Sequence, residues 1–339
     1  MLPPRARESC DVMHCRPATF DDRPAILSLL REAKFLPSDP DHSSAVFAWK
    51  HERSPEGPSL LRVFEANHQV VGFAAAMPRR VRIQGQELRG CVLADGCVSR
   101  PWRRRGVLSE MLRLLVMDAR PHKDLAMAFP GRRGSRLLFK RRLGWKWREP
   151  MLAQLTPLIR MSYARARSSG PYTCSVLDEV PPDAASILRT GDDALARLVW
   201  DVPYVHWRCS QHPLRPYRLV ELRSSGQLLG MMIVRSPRRI PMGMILSYWT
   251  AWEDPDAVRP LFEGVATELR RLGAVAALAL ATRSTFSFFR AARVAWVRIP
   301  TPLLPRQYEI VAEPLTKRAG VLSESSSRWD STFGDSDAA

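Results

Sequence analysis

The feature that most limits how this chain can fold is an internal repeat. Phe47-Ala48-Trp49-Lys50 pairs with Val205-His206-Trp207-Arg208, Pro55 and Pro58 with Pro213 and Pro216, Gly72 with Gly230, and Arg80 with Arg238, all at one offset of 158 residues. Between these anchors Val70-Val71 matches Leu228-Leu229 at the start of an apolar run. Chance is a poor explanation for gap-free agreement that includes a tryptophan and two prolines. The chain therefore reads as two copies of one unit. Its 339 residues suffice for about two domains with a core each.

The first copy is the more legible. His14 to Ala18 can form a short strand, and Thr19-Phe20-Asp21-Asp22 reads as a capping-box variant. The helix it starts buries Ile26, Leu27, Leu29 and Leu30 and ends before Pro37. Two strand-like runs, Leu60 to Ala66 and Val70 to Met77, flank the tight turn Asn67-His68. A third, Arg79 to Ile83, turns at Gln84-Gly85-Gln86 and returns through Leu88 to Val98. After a Pro-Trp turn and a basic loop, Leu108, Met111, Leu112 and Leu115 fall at i, i+3, i+4 and i+7, one apolar helix face. Leu125 to Phe129 is a short buried strand, Ser135 to Arg142 a short helix, and Gly144-Trp145 opens a last strand through Leu155. The order implies an α/β unit with a mixed sheet.

The stretch Trp102-Arg103-Arg104-Arg105-Gly106-Val107-Leu108 joins the long strand to the central helix. Strand, glycine loop and helix N-terminus in succession build an anion site. Unpaired N–H groups point outward there, the dipole favours negative charge, and glycine admits a phosphate close to the main chain. The arginines add charge-assisted donors. The same residues would also suit a solvated basic turn ahead of an ordinary amphipathic helix.

The run from Val98 through Pro101, Arg103 and Gly106 to Leu108 resembles the acetyl-CoA pyrophosphate loop of the GNAT N-acetyltransferase superfamily, whose pattern is Gln/Arg-x-x-Gly-x-Gly/Ala. Arg103 and Gly106 match it, while Leu108 stands where a small residue is usual. Leu138 to Trp145 resembles the family's terminal helix and the glycine–aromatic turn after it. The resemblance covers about residues 13–155. It implies an α/β (α+β) protein of two tandem GNAT-like domains, each a mixed, mostly antiparallel sheet flanked by helices. It also implies acetyl-CoA as cosubstrate, with Arg104 to Leu108 amides on the pyrophosphate and the pantetheine arm paired along Cys97, Val98 and Ser99.

The second copy continues with a strand Met244 to Tyr248, a helix Pro255 to Leu272, a strand Val275 to Ala281 and a Phe-rich helix ending near Trp296. Where the first copy has Trp102-Arg103-Arg104-Arg105-Gly106, it has Trp252-Glu253-Asp254-Pro255-Asp256. Three carboxylates would repel phosphate, so the second copy is not expected to bind CoA. The expected organisation is a loose tail over 1–12, with Met13 as an alternative start, and a GNAT domain over 13–158. A linker with a connecting helix over 159–198, a degenerate GNAT-like domain over 199–315 and a disordered tail over 316–339 follow.

Acyl transfer to an amine needs a positioned thioester, a neutral amine, and a proton or dipole for the leaving thiolate. Asp95 is the first candidate for base, since it sits in an apolar strand where burial would raise its pKa. A turn aspartate before Gly96 fits the same pattern; Glu65 is a weaker choice, and water can carry the proton instead. For the acid, many family members use a tyrosine on the terminal helix. Phe139 stands at that place here, leaving Ser135 or a water. Cys97 reads as a small buried hydrophobe rather than a nucleophile. His51 reads as a structural histidine or one facing the acceptor cleft.

Net charge is +17, which favours anionic partners without fixing a fold. The basic residues are spread along the chain, however, and an arginine-rich proteome would give the same balance. No aromatic–basic nucleic-acid platform appears, so nucleic acid is not expected as a partner. The six cysteines lack metal-ligand spacing, and there is no signal-like or membrane-spanning apolar run. A cytoplasmic protein with no metal and reduced thiols is expected. The leading reading is an N-acetyltransferase acting on a primary amine of a small molecule, amino sugar or peptide, with the second domain shaping the acceptor cleft. A non-catalytic CoA-binding or regulatory protein, and a Fem-type aminoacyl-tRNA-dependent peptidyltransferase, stay open beside it. Nothing in the sequence sets the oligomeric state.

Overall fold

The computed structural model describes residues 13–162, 172–188, 193–214, 217–236, 241–251, 255–291, 294–300, 304, 306–325 and 328–332. In the first half lie β1 (Met13–Pro17), α1 (Arg23–Glu32), α2 (Pro40–His51), β2 (Leu60–Ala66), β3 (Gln69–Ile83) and β4 (Gln86–Val98), followed by α3 (Val107–Ala119), β5 (Leu125–Ala128), α4 (Arg133–Leu137) and β6 (Lys146–Pro150). Next come β7 (Leu152–Pro157), α5 (Leu158–Ser162), β8 (Tyr172–Leu177), α6 (Ala185–Leu188), β9 (Ala196–Leu198) and α7 (Val202–Cys209). The second half continues with β10 (Tyr217–Ser224), β11 (Gln227–Arg235), β12 (Met242–Thr250), α8 (Pro255–Arg271), β13 (Ala276–Ala281), α9 (Arg283–Ala291) and β14 (Val297–Arg298). The chain closes with β15 (Glu309–Pro314), α10 (Lys317–Ser325) and β16 (Trp329–Asp330).

Two sheets result, each with the same plan. One runs β1-β2-β3-β4-β5-β15-β6, the other β8-β10-β11-β12-β13-β7-β14. Along each path only the fourth and fifth strands, β4–β5 and β12–β13, are parallel; the other neighbours are antiparallel. The sixth place in each sheet is filled by the other half. β15 enters between β5 and β6, and β7 enters between β13 and β14. The two halves have exchanged strands.

The structure corrects the expected organisation at three points. Leu152–Pro157 does not close the first sheet; it belongs to the second. The segment after 315, expected to be disordered, carries α10 and β16. Ala319 and Trp329 are buried, and β16 pairs with β9 beside β3. Within the span taken as a linker, β8 forms the edge of the second sheet. The expected N-terminal tail lies outside the described residues.

Turn chemistry sets the hairpins. Asn67-His68 has φ of 50° and 60°, and Gln84-Gly85 has 51° and 72°, so both central residues are left-handed as two-residue β-hairpins require. The two runs around Pro78 form one strand, β3. Pro78 falls just past the last β2 partner, Ala76, so its missing N–H interrupts no ladder on that side. At the N-terminus Asp22 Oδ2 accepts from the Thr19 amide at 2.7 Å and the Thr19 hydroxyl at 3.0 Å, which realises the cap ahead of α1.

Three apolar clusters hold the molecule together. One lies between the first sheet and α3, built on Met111, Leu112 and Leu115. Gly72 lets that helix approach: a Cβ there would stand 2.9 Å from Met111 Cε. A second fills the other half beneath α8, around Phe262, Val265 and Leu269. The largest joins the halves, with Phe47, Trp49, Phe73, Trp200, Tyr204, Trp207 and Trp329 in one body. Among the described residues no helix is long and apolar enough to cross a membrane.

Candidate acyl-CoA groove

β4 and β5 run in parallel register only from Gly90↔Leu125 to Leu93↔Ala128. Beyond that β5 ends, while β4 continues through Ala94 to Val98, held on its other side by β3. Among the described residues no strand covers the open edge of Ala94–Val98. A groove therefore opens between the parallel strands, at the end where α3 begins.

At its mouth Gly106 adopts φ 84° and caps α3. A Cβ on Gly106 would find only Ser109 Oγ, at 3.9 Å, so the backbone there is approachable. Arg104 also lies in the left-handed region, with φ 67°. Two such residues ahead of a helix turn the loop so that the first-turn amides face outward. Arg103 does not project like its neighbours. Its Nε donates to Val98 O at 2.9 Å and tethers the loop to the strand. Arg105 lies over the Trp102 ring at 4.9 Å, and Arg104 and Arg105 have no acidic partner among the described residues. Leu108, the departure from the family pattern, packs against Gly96, where a Cβ would stand 2.9 Å from its Cδ1. The missing side chain on one residue accommodates the larger one on the other.

Asp95 behaves differently from expectation. It sits at a β-bulge, where Asp95 and Gly96 together face Ala74, and takes φ 53°. Its buried carboxylate receives Lys50 Nζ at 2.7 Å and His51 Nε2 at 3.0 Å. Burial pushes its pKa up, but the Lys50 charge and the His51 hydrogen bond and charge together outweigh this and hold it well below the usual carboxylate range. The sequence expectation took only the burial into account. Asp95 stays ionised and is a poor proton acceptor. An ionised carboxylate only accepts, so His51 Nε2 carries the hydrogen toward it, and Nδ1 lies 3.1 Å from Ser59 Oγ. Lys50 and Ser59 carried no sequence signal for this role beyond their nearness to Trp49. His51 is itself buried, at 1% exposure.

The other candidates separate. Glu65 is tied up on the β1–β2 edge, accepting from Arg16 Nε at 2.9 Å. Cys97 is buried and its thiol is pushed up to about 12, first by burial and then by the Asp95 charge, which makes it inert as a nucleophile. Phe139 is buried against Trp145, ring centroids 4.9 Å apart, within the π-turn Leu138–Arg142 that follows α4. Ser135 lies half-buried on α4, one turn earlier.

The second half has the equivalent groove, and it is filled. β12 and β13 pair from Met242↔Ala276 to Ile245↔Ala279. Two residues further on, Ser247 Oγ meets Thr332 Oγ1 at 2.9 Å, and Ala281 bridges Thr332. Thr282 N donates to Ser331 O at 3.0 Å, and Thr285 Oγ1 to Asp330 Oδ1 at 2.7 Å. The chain's own C-terminal segment occupies the space that stays open in the first half. Trp252 to Asp254, expected to repel phosphate, lie outside the described residues.

The Acetyltransferase (GNAT) domain family matches residues 14–148. No curated protein matches the chain. A probable N-acyltransferase of unknown function from Enterococcus faecalis is similar in structure, with a TM-score of 0.66 at 11% identity over 91% of this chain and 74% of that one. A GCN5-related N-acetyltransferase from Kribbella flavida gives a TM-score of 0.66 at 14% identity, over 94% and 74%. A tandem GNAT protein from the clavulanic acid biosynthesis pathway gives 0.58 at 13%, over 90% and 99%. At such identities the likeness to solved structures is one of fold. Residues 14–148 thus match the GNAT acetyltransferase domain, and the chain as a whole has the tandem GNAT fold.

Proposed function

We propose that the protein transfers an acetyl group from acetyl-CoA to a primary amine, using the first-half groove alone. The observation that carries this reading is the open edge of Ala94–Val98 leading to the exposed Gly106 turn. A pantetheine arm could extend that edge as an added strand, with amides from Arg104 to Leu108 on the diphosphate. Arg104 and Arg105 supply unpaired positive charge beside it.

The ionised Asp95, Lys50 and His51 are positioning groups behind the strand rather than proton carriers. Deprotonation of the amine is assigned to solvent in the cleft. The thiolate would take its proton from water or Ser135, because Phe139 has no hydroxyl to give. The buried Phe139 favours one other reading, a CoA-binding protein without catalysis. The intact glycine loop counts against peptidyl transfer from aminoacyl-tRNA, which has no need of a CoA diphosphate site.

Thiol release from acetyl-CoA, measured over a panel of amines, amino sugars and peptides, tests the proposal. Amine-dependent release that disappears in Gly106→Asp is expected. Binding of acetyl-CoA with no amine-dependent release would favour the non-catalytic reading.

A further inference from the structure

A pocket of about 380 Å³ opens in the second half, on the β7–β14 side of β13, lined by Leu152 and Gln154 of β7, Arg283 and Phe286 of α9, and Trp296 and Arg298 at β14. Its volume is in the range of small-ligand sites. Gln154 and Arg298 stand directly opposite each other in the β7–β14 pair, so their side chains share a face.

The polar groups here lack partners. Gln154 is only 5% exposed, yet its carboxamide has no hydrogen bond among the described residues. Trp296 Nε1 is also buried without an acceptor. Neither the Arg283 nor the Arg298 side chain has a carboxylate partner among the described residues. The nearby Glu149 is already engaged, accepting from the amides of Arg283 and Trp329 at 3.0 and 3.1 Å. The buried Trp296 Nε1 without an acceptor is costly to keep, and the Gln154 carboxamide, which makes no bond among the described residues, is open to a group in the pocket. Two guanidinium groups beside it select an anion, and Phe286, Trp296 and Leu152 supply an apolar floor.

We propose that this pocket binds a small organic acid, a carboxylate carried on an aromatic or aliphatic body. The carboxylate lies between Arg283 and Arg298, with Gln154 donating its amide N–H, and the body rests on Phe286 and Trp296. The site is independent of the acyl-CoA groove, and its ligand needs no chemistry performed on it.

Calorimetry on the full chain with benzoate, hexanoate, benzamide and inorganic phosphate tests this. Saturable binding of benzoate or hexanoate is expected, with a dissociation constant at or below about 1 mM. Benzamide and phosphate should bind at least about tenfold more weakly, since each lacks one half of the recognised group. The exposed-residue double variant Arg283→Gln/Arg298→Gln should lose about tenfold or more in acid binding while keeping its response to acetyl-CoA. Conversely, Gly106→Asp should bind the acids like the parent. No saturable binding of either acid, equal binding of benzamide or phosphate, or acid binding unchanged in the double variant would overturn the proposal. None of these outcomes depends on whether the first groove binds CoA.

Discussion

Trp49 and Trp207 stack with ring centroids 4.4 Å apart and 12° between their planes, and each indole donates to the other's carbonyl, at 2.9 and 3.0 Å. These are the two tryptophans of the sequence repeat. Each residue does for its partner what the partner does for it. Arg80 reinforces the junction through Glu56 on its own half and Asp201, the N-cap of α7, on the other.

Trp49→Phe keeps most of the stacked area but removes one donor, and it leaves the buried Trp207 carbonyl without a partner. A loss of about 1–3 kcal/mol is expected. Trp207→Phe should cost a similar amount. The double variant should fall short of the sum, because the two bonds belong to one coupled unit. Urea unfolding of the four proteins reads this out. Full additivity would mean that the two bonds act independently.

Strand exchange makes each half incomplete. A fragment of residues 1–158 lacks β15, so β5 and β6 lose their common neighbour and β7 has no sheet to enter. It is expected to be insoluble or to unfold without cooperativity, while co-expression with residues 159–339 should restore a soluble, cooperatively unfolding complex. A fragment that folds alone would contradict the exchange.

The repeat and most strands of the first copy were legible in sequence, because alternation and turn residues are local signals. The exchange was not. β7 and β15 read as ordinary apolar strands, and nothing in their pattern names the sheet they join. The C-terminal segment misled for a related reason. Its serine-rich composition resembles a disordered tail, yet Trp329 is 2% exposed, and Ser284 and Thr285 in the first turn of α9 donate their hydroxyls to Trp329 O and Asp330 Oδ1. The site loop was legible as a strand–glycine–helix succession. The Asp95 pairing was not, because it depends on a bulge that turns the carboxylate toward α2.

Lys50→Met should strand the buried Asp95 charge with only His51 beside it. A loss of about 3–5 kcal/mol is expected. Lys50→Met combined with Asp95→Asn should be more stable than Lys50→Met alone, since the uncompensated charge is gone. If the second substitution deepens the loss, Asp95 is not held ionised by Lys50.

Asp22 is held down to about 2, chiefly by its bidentate bond to Arg16, against the opposing effect of burial. A folded-state value below the unfolded one means stability that is present above about pH 4 and lost as pH falls toward 2. Asp22→Asn should lower stability by about 2 kcal/mol at neutral pH and flatten the acid limb of the stability profile over that window. An unchanged acid limb would contradict this.

The most direct test of the account is calorimetric titration of the full chain with acetyl-CoA. One binding event per chain is expected, because the first groove is open and Thr332 closes the second, and Gly106→Asp should abolish it. Two equivalent events, or one that survives Gly106→Asp, would contradict the assignment of the first-half groove as the acyl-CoA site.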